Sequence, residues 1–235
     1  MRITPQSDMT TVVLLGAFNP SMFHPSWFAA QKAIGPQEAK DAEIAILHPQ
    51  IASFKTSKLQ VEVQNNKFIV ASDVLPEATQ DLVVTIFGGP LVGTPIFALG
   101  INRSIHFDVG SSKVQHAIGR SLAPTGPWGD WGKTLDEEDH QSAARGGLMS
   151  LQLQGARKSG PKGYVQVRLE PSAMIRGTGI FMEINNHYNL VADPPEAADA
   201  SAMIETIKGE WDGANKTAER IVDQIMSLAN EEAGA

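Results

Sequence analysis

The sequence predicts an α+β fold: a mostly antiparallel sheet with helices packed on one face and a long C-terminal amphipathic helix. Three observations predict it. Residues 59–64 alternate apolar and polar, Asn65-Asn66 supplies a turn that tolerates positive φ, and Lys67–Ser72 returns as the partner strand. Three further alternating stretches lie within residues 149–188, the signature of an antiparallel meander with one apolar face. Finally, Met203, Ile207, Trp211, Ala214, Ala218, Ile221, Ile225 and Leu228 recur at steps of three and four, which makes one apolar stripe on a helix.

In chain order, residues 11–18 (TVVLLGAF) form a short apolar strand, and residues 25–34 a short helix with Pro25 near its start. Residues 43–55 read as one irregular strand, kinked or bulged at Pro49. After the hairpin, Pro76–Phe87 places Ala78, Leu82, Val83, Ile86 and Phe87 on one helical stripe, and Gly88-Gly89-Pro90 ends it. Residues 96–109 make a long strand, and residues 111–122 an amphipathic helix with Val114, Ile118 and Leu122 inward. Residues 123–147 carry Pro, Gly, Trp and acidic residues without periodicity, unusually long for a structureless connection inside a compact domain, which makes the segment either functional or mobile. In the last three strands Met149, Leu151 and Leu153 face one side, as do Val165, Val167 and Leu169. Asp193-Pro194-Pro195-Glu196 has the features of a helix start, so the last helix is expected over 194–230, with Gly209 and Gly213 as places for a kink. The chain is expected to be a single domain over 1–235, its one seam at 123–147, and no repeat is visible in the residues themselves.

Composition narrows the function classes. The chain has 235 residues, 42% hydrophobic and 19% charged, enough to bury a large core. It has no cysteine, which excludes disulfides, thiolate metal ligands and cysteine nucleophiles. Neither a signal-peptide pattern nor an apolar run long enough to span a bilayer is present, so a cytoplasmic protein without membrane contact is expected. The net charge of −7 is concentrated after residue 195, where nine acidic side chains face three basic ones. No Lys/Arg cluster is offered to phosphates, and this argues against a nucleic-acid partner.

The polar residues in unexpected places lie on residues 96–109. One row holds Phe97, Leu99, Ile101, Arg103, Ile105, Phe107 and Val109; the other holds Ala98, Gly100, Asn102, Ser104, His106 and Asp108. An arginine inside an apolar row needs a carboxylate or several carbonyls. Three explanations stand: a bulge near Gly100 that turns it outward, a structural ion pair, or an arginine that meets a ligand, such as an anionic small molecule, or an interface. The ligand reading draws Asn102, Arg103, His106 and Glu170 together. Gln152, Gln154, Gln166, Arg168, Glu170, Glu183, Asn185 and His187 would share the polar face of the meander, either as a wet surface or as a recognition surface. Trp128 and Trp131 in PWGDWG are either a packing anchor or a contact for a partner, and Trp211 is a candidate interface residue on the last helix. No P-loop, dinucleotide fingerprint, nucleophile elbow or paired metal-ligand spacing is present, so no catalytic residue, metal site or cofactor is assigned.

The segment ALGINRSIHF, residues 98–107, preceded by a helix, resembles the Gly-x-x-x-Asn-Arg signature strand of a sporadically distributed family of uncharacterised bacterial proteins, although here Asn102-Arg103 follows Gly100 after Ile101 alone. The resemblance implies a bacterial origin and an α+β fold, and brings no activity. The expected function is a non-enzymatic binding or assembly subunit that works through a protein partner or self-association. The alternative is a binder or enzyme for an anionic small molecule around Arg103.

Overall fold

The computed structural model describes residues 3–135, 147–190 and 199–233. The first strand, β1 (Ser7–Gly16), leads through a 3-10 turn at Pro20–Met22 into the short helices α1 (Pro25–Ala30) and α2 (Pro36–Lys40). A four-strand meander follows: β2 (Glu43–His48), β3 (Ile51–Lys55), β4 (Gln60–Gln64) and β5 (Lys67–Ser72), then α3 (Pro76–Phe87). The chain then repeats this plan. A long strand, β6 (Ile96–Asp108), leads to α4 (Ser112–Leu122) and to α5 (Gly129–Thr134), preceded by a 3-10 turn at Gly126–Trp128. The meander β7 (Leu151–Ala156), β8 (Gly163–Pro171) and β9 (Gly179–Asn189) follows, and α6 (Ser201–Ala233) closes the chain.

The nine strands among the described residues belong to one antiparallel sheet of order β2-β3-β4-β5-β1-β6-β9-β8-β7. Read outward from the centre, the order is symmetric except for β2, an extra edge strand of the first half with no counterpart in the second. In each half the first strand pairs with the last strand of its own meander, and the two first strands pair with each other, Val12 opposite Ile101. The fold is thus two copies of a strand–helix–meander–helix plan, a duplication of connectivity that leaves no trace in the residues.

The apolar rows of both halves face the helices. Val12, Leu14, Phe54, Phe68, Val70, Leu82, Ile86, Leu99 and Ile101 form one core with Phe23 and Phe28. Ile105, Phe107, Val114, Ile118, Leu169, Met182 and Ile184 form the other. Helix α6, 33 residues and roughly 50 Å long, spans both. Its Met203, Ile207, Trp211 and Ala214 lie in the first core, and its Ala218, Val222, Met226 and Ala229 in the second.

Several sequence expectations change. Residues 43–55 are not one kinked strand: Pro49 and Gln50 form a turn between β2 and β3, because proline cannot donate within a ladder. The bulge in the central strands lies at Phe97, not at Gly100. The β1–β6 register slips between Leu15 and Gly16, which sends Phe97 out to solvent and brings Ile96 into the core. Gly16 makes this possible, since a Cβ there would collide with the Pro95 carbonyl. Residues 123–135 are partly helical. Helix α6 runs unbroken through Gly209 and Gly213, and its buried stripe continues through Val222, Met226 and Ala229. Ile221, Ile225 and Leu228 flank that stripe, half-buried, because a straight helix keeps one face inward at steps near 3.6 residues. Met149 and Leu153 are exposed, and none of the described helices covers them. The expected helix start at 193–196 lies outside the described residues.

Candidate functional site

Strand β6 decides the geometry, because its two rows point to different sides of the sheet. Arg103 stays in the helix-facing row, between Ile101 of the first core and Ile105 of the second. Its Nε and Nη2 donate to the two carboxylate oxygens of Asp8 on β1, at 2.8 and 2.5 Å. This bidentate pair is about one quarter exposed and spans the seam between the cores, where α6 bridges them. The Asp8 hydrogen bond, reinforced by Glu219 and Asp223, raises the guanidinium above its already high value and keeps it charged. Clefts of about 410 and 350 Å³ flank the pair. Asp8, Asp73, Glu77, Asp212 and Glu219 line the first of them, against Arg103 and Lys216. An anion entering there would meet an occupied guanidinium and a surplus of carboxylates. Asp8 was legible in principle: carrying the alternation of β1 back past Thr10 puts Asp8, Thr10, Val12 and Leu14 on the face that Arg103 shares.

The other row of β6 looks onto the face of the sheet that none of the described helices covers, called the uncovered face below. Four of its cross-strand neighbours form a ladder of amides: Asn102 opposite Asn185, Asn185 opposite Gln166, and Gln166 opposite Gln154. Asn102 and Asn185 lean over Gly100, where a Cβ would lie 3.2 Å from the Asn102 Oδ1 and 3.6 Å from the Asn185 Oδ1. On one side of the ladder Tyr164 stacks on His187, centroids 4.5 Å apart and planes 16° apart. On the other side Arg168 lies over the Phe181 ring at 5.3 Å and binds Glu183 at 2.9 Å and Glu170 at 3.3 Å. His106 packs on the opposite flank of Phe181 at 4.8 Å, and its Nδ1 is 2.8 Å from the Ser172 hydroxyl. Burial holds the His106 imidazolium below its usual range. Ser172 Oγ also accepts from the Ile175 N–H at 2.9 Å, so the pair ties the β8–β9 connection to β6.

The structure therefore brings Asn102, His106 and Glu170 to one face and places Arg103 on the opposite one. Trp128 and Trp131 are 62% and 59% exposed and touch each other edge-on at 5.5 Å, so they do not anchor their segment to the body. Trp211 packs in the first core and is not a surface residue. Among the described residues no group of three His, Asp or Glu side chains is placed to hold a metal, and no helix is long and apolar enough to cross a membrane.

A second polar cluster, not anticipated from sequence, lies under α6. Arg157, at the tip of the β7–β8 hairpin, binds Glu210 of α6 at 2.5 Å and lies 4.1 Å over the Tyr188 ring. Burial pushes the Tyr188 hydroxyl up to about 12. The folded chain keeps this proton between about pH 10 and 12, where the unfolded chain has lost it, so stability declines as pH rises through that window. Tyrosinate absorbance should show one of the two tyrosines ionising near pH 12, and Tyr188→Phe should remove that step. A Tyr188 that ionises near pH 10 would contradict this arrangement.

No family model matches the chain, and no curated protein matches it.

Proposed function

We propose that this chain is a non-enzymatic binding or assembly subunit that engages a protein partner through the uncovered face of β6, β9, β8 and β7. The observation that carries the reading is the chemistry of that face. It combines an amide ladder, the Tyr164–His187 stack and the Arg168–Phe181 pair on a rigid sheet that the helices leave bare. Amides and half-exposed aromatics offer a polypeptide hydrogen bonds and apolar contact together, with little side-chain entropy to lose. The exposed Trp128 and Trp131 add a second aromatic patch of the kind enriched at protein interfaces. The acidic clefts beside Arg103 do not favour the anionic-ligand alternative.

Native mass spectrometry of the full chain purified from its own host tests this. The expected result is a complex with a second protein, lost in the Tyr164→Ala/Arg168→Ala variant and kept in Arg103→Met, with both variants retaining the wild-type circular dichroism. A chain that purifies alone, or a partner that survives the face variant, overturns the reading. So does a co-purifying small molecule released by Arg103→Met.

A further inference from the structure

Strand β2 is the outer edge of the sheet, and all six of its residues are exposed. It nevertheless reads Glu-Ile-Ala-Ile-Leu-His, with Ile44, Ile46 and Leu47 at 46%, 42% and 45% exposure. Edge strands are normally blunted by lysine, proline, charges turned inward or a bulge, and of these β2 has only a bulge, at Ala45. Here the one charged side chain, Glu43, stands at the end. The 3-10 turn Pro20–Met22 lies beside β2 and β3, and its Met22 is 38% exposed.

The register of β2 is unusual in a way that bears on what covers it. Its pairing with β3 slips between Ile44 and Ile46, so Ala45 is a bulge. Glu43, Ile46 and His48 pair with Lys55, Ser53 and Ile51 on the uncovered face. Ile44 and Leu47 pair with the buried Phe54 and Ala52 on the helix side. With Ala45 bulged out, the strand counts as five alternating residues centred on Ile46. A regular six-residue strand cannot pair symmetrically with itself end to end, because opposite residues would point to different faces. This bulged strand can.

We infer that β2 pairs antiparallel with β2 of a second copy, giving a twofold dimer with one sheet continuous through both chains. The inference does not rest on the uncovered face described above. Ile46 meets its own copy at the axis, Ile44 meets Leu47 of the other chain, and Glu43 meets His48. The last contact is complementary in detail. His48 Nδ1 accepts the Gln50 N–H at 3.3 Å, which leaves the Nε2–H to donate to a carboxylate. The same residues serve both chains, as a closed twofold interface requires. The free N–H and C=O groups of each edge would gain partners, and the exposed isoleucines would gain cover.

Sedimentation equilibrium of the full chain at rising concentration tests the pairing. Twice the 25.2 kDa chain mass is expected for the wild type, and one chain mass for Ile46→Lys, which sets two ammonium groups against each other at the axis. Glu43→Lys should weaken the dimer, and His48→Glu added to it should restore the wild-type affinity. Leu153→Lys on the opposite sheet edge should change nothing. Should Ile46→Lys lose its circular dichroism, the Glu43→Lys and His48→Glu pair decides alone. A monomeric wild type, a dimer untouched by these β2 substitutions, or oligomers that grow beyond two and vanish with Leu153→Lys would each overturn the inference.

Discussion

Truncating Phe68 to alanine is expected to lower the unfolding free energy by about 3–5 kcal/mol. Phe68 is fully buried on β5, and its ring meets Phe18, Phe23 and Phe87 at 6.1, 5.6 and 5.2 Å. These rings come from β5, α3, the residue that follows the 3-10 turn and the loop after β1, so the phenyl group joins the first core rather than filling one corner of it. The surrounding rings belong to separate elements fixed by their own ladders, which limits collapse into the space left behind. For a chain of this size the loss corresponds to a fall in Tm of about 6–20 °C. Phe97→Ala is the matched control: at 46% exposure on the bulge it should change stability by about 0.5 kcal/mol or less. Denaturant titration of the two variants makes the comparison. Equal losses would mean that the first core is not organised around Phe68.

Glu210→Ala should cost about 3 kcal/mol, more than the loss of an exposed ion pair explains. The side chains of Arg157 and Glu210 are only 13% and 23% exposed, and the Arg157 guanidinium is held over Tyr188. Removing the carboxylate leaves that guanidinium charged against an aromatic ring, with little water to replace its partner. The double variant Arg157→Met/Glu210→Leu removes both charges and keeps the volume, so it should recover most of the loss. Thermal melts of the two variants decide. If the single and double variants are equally stable, the pair is solvated and does not fasten the β7–β8 hairpin to α6.

Much of the secondary structure was legible because it is written in local periodicity. The β4–β5 hairpin, α3, α4 and the meander strands follow from alternation and apolar stripes that depend on nearby residues. Arg103 was equally visible as an anomaly, but its explanation was not. The arginine interrupts an apolar row because it stands where one core ends and the other begins, and that boundary exists only once β1 and β6 are paired. The same holds for the site. Asn102, His106 and Glu170 were singled out with Arg103, although the alternation of residues 96–109 already put Arg103 in the other row; which of the two rows faces the helices is decided only by the packing of the sheet. Tyr164 and His187 stack only because β8 and β9 are in register, which no pattern within either strand specifies.

By itself the sequence determined an α+β chain without cysteine, a largely antiparallel sheet, helices on one side and an acidic amphipathic C-terminal helix. These are properties of composition and of periods of two and 3.6 residues, and each residue reports them locally. The tertiary structure alone decided that two halves share one plan, that their first strands meet at the centre, and that β2 is left at the edge with its apolar side chains bare. Strand order depends on contacts between residues far apart in the chain, and many orders satisfy the same local pattern. Only the packing of two cores under one helix selects among them.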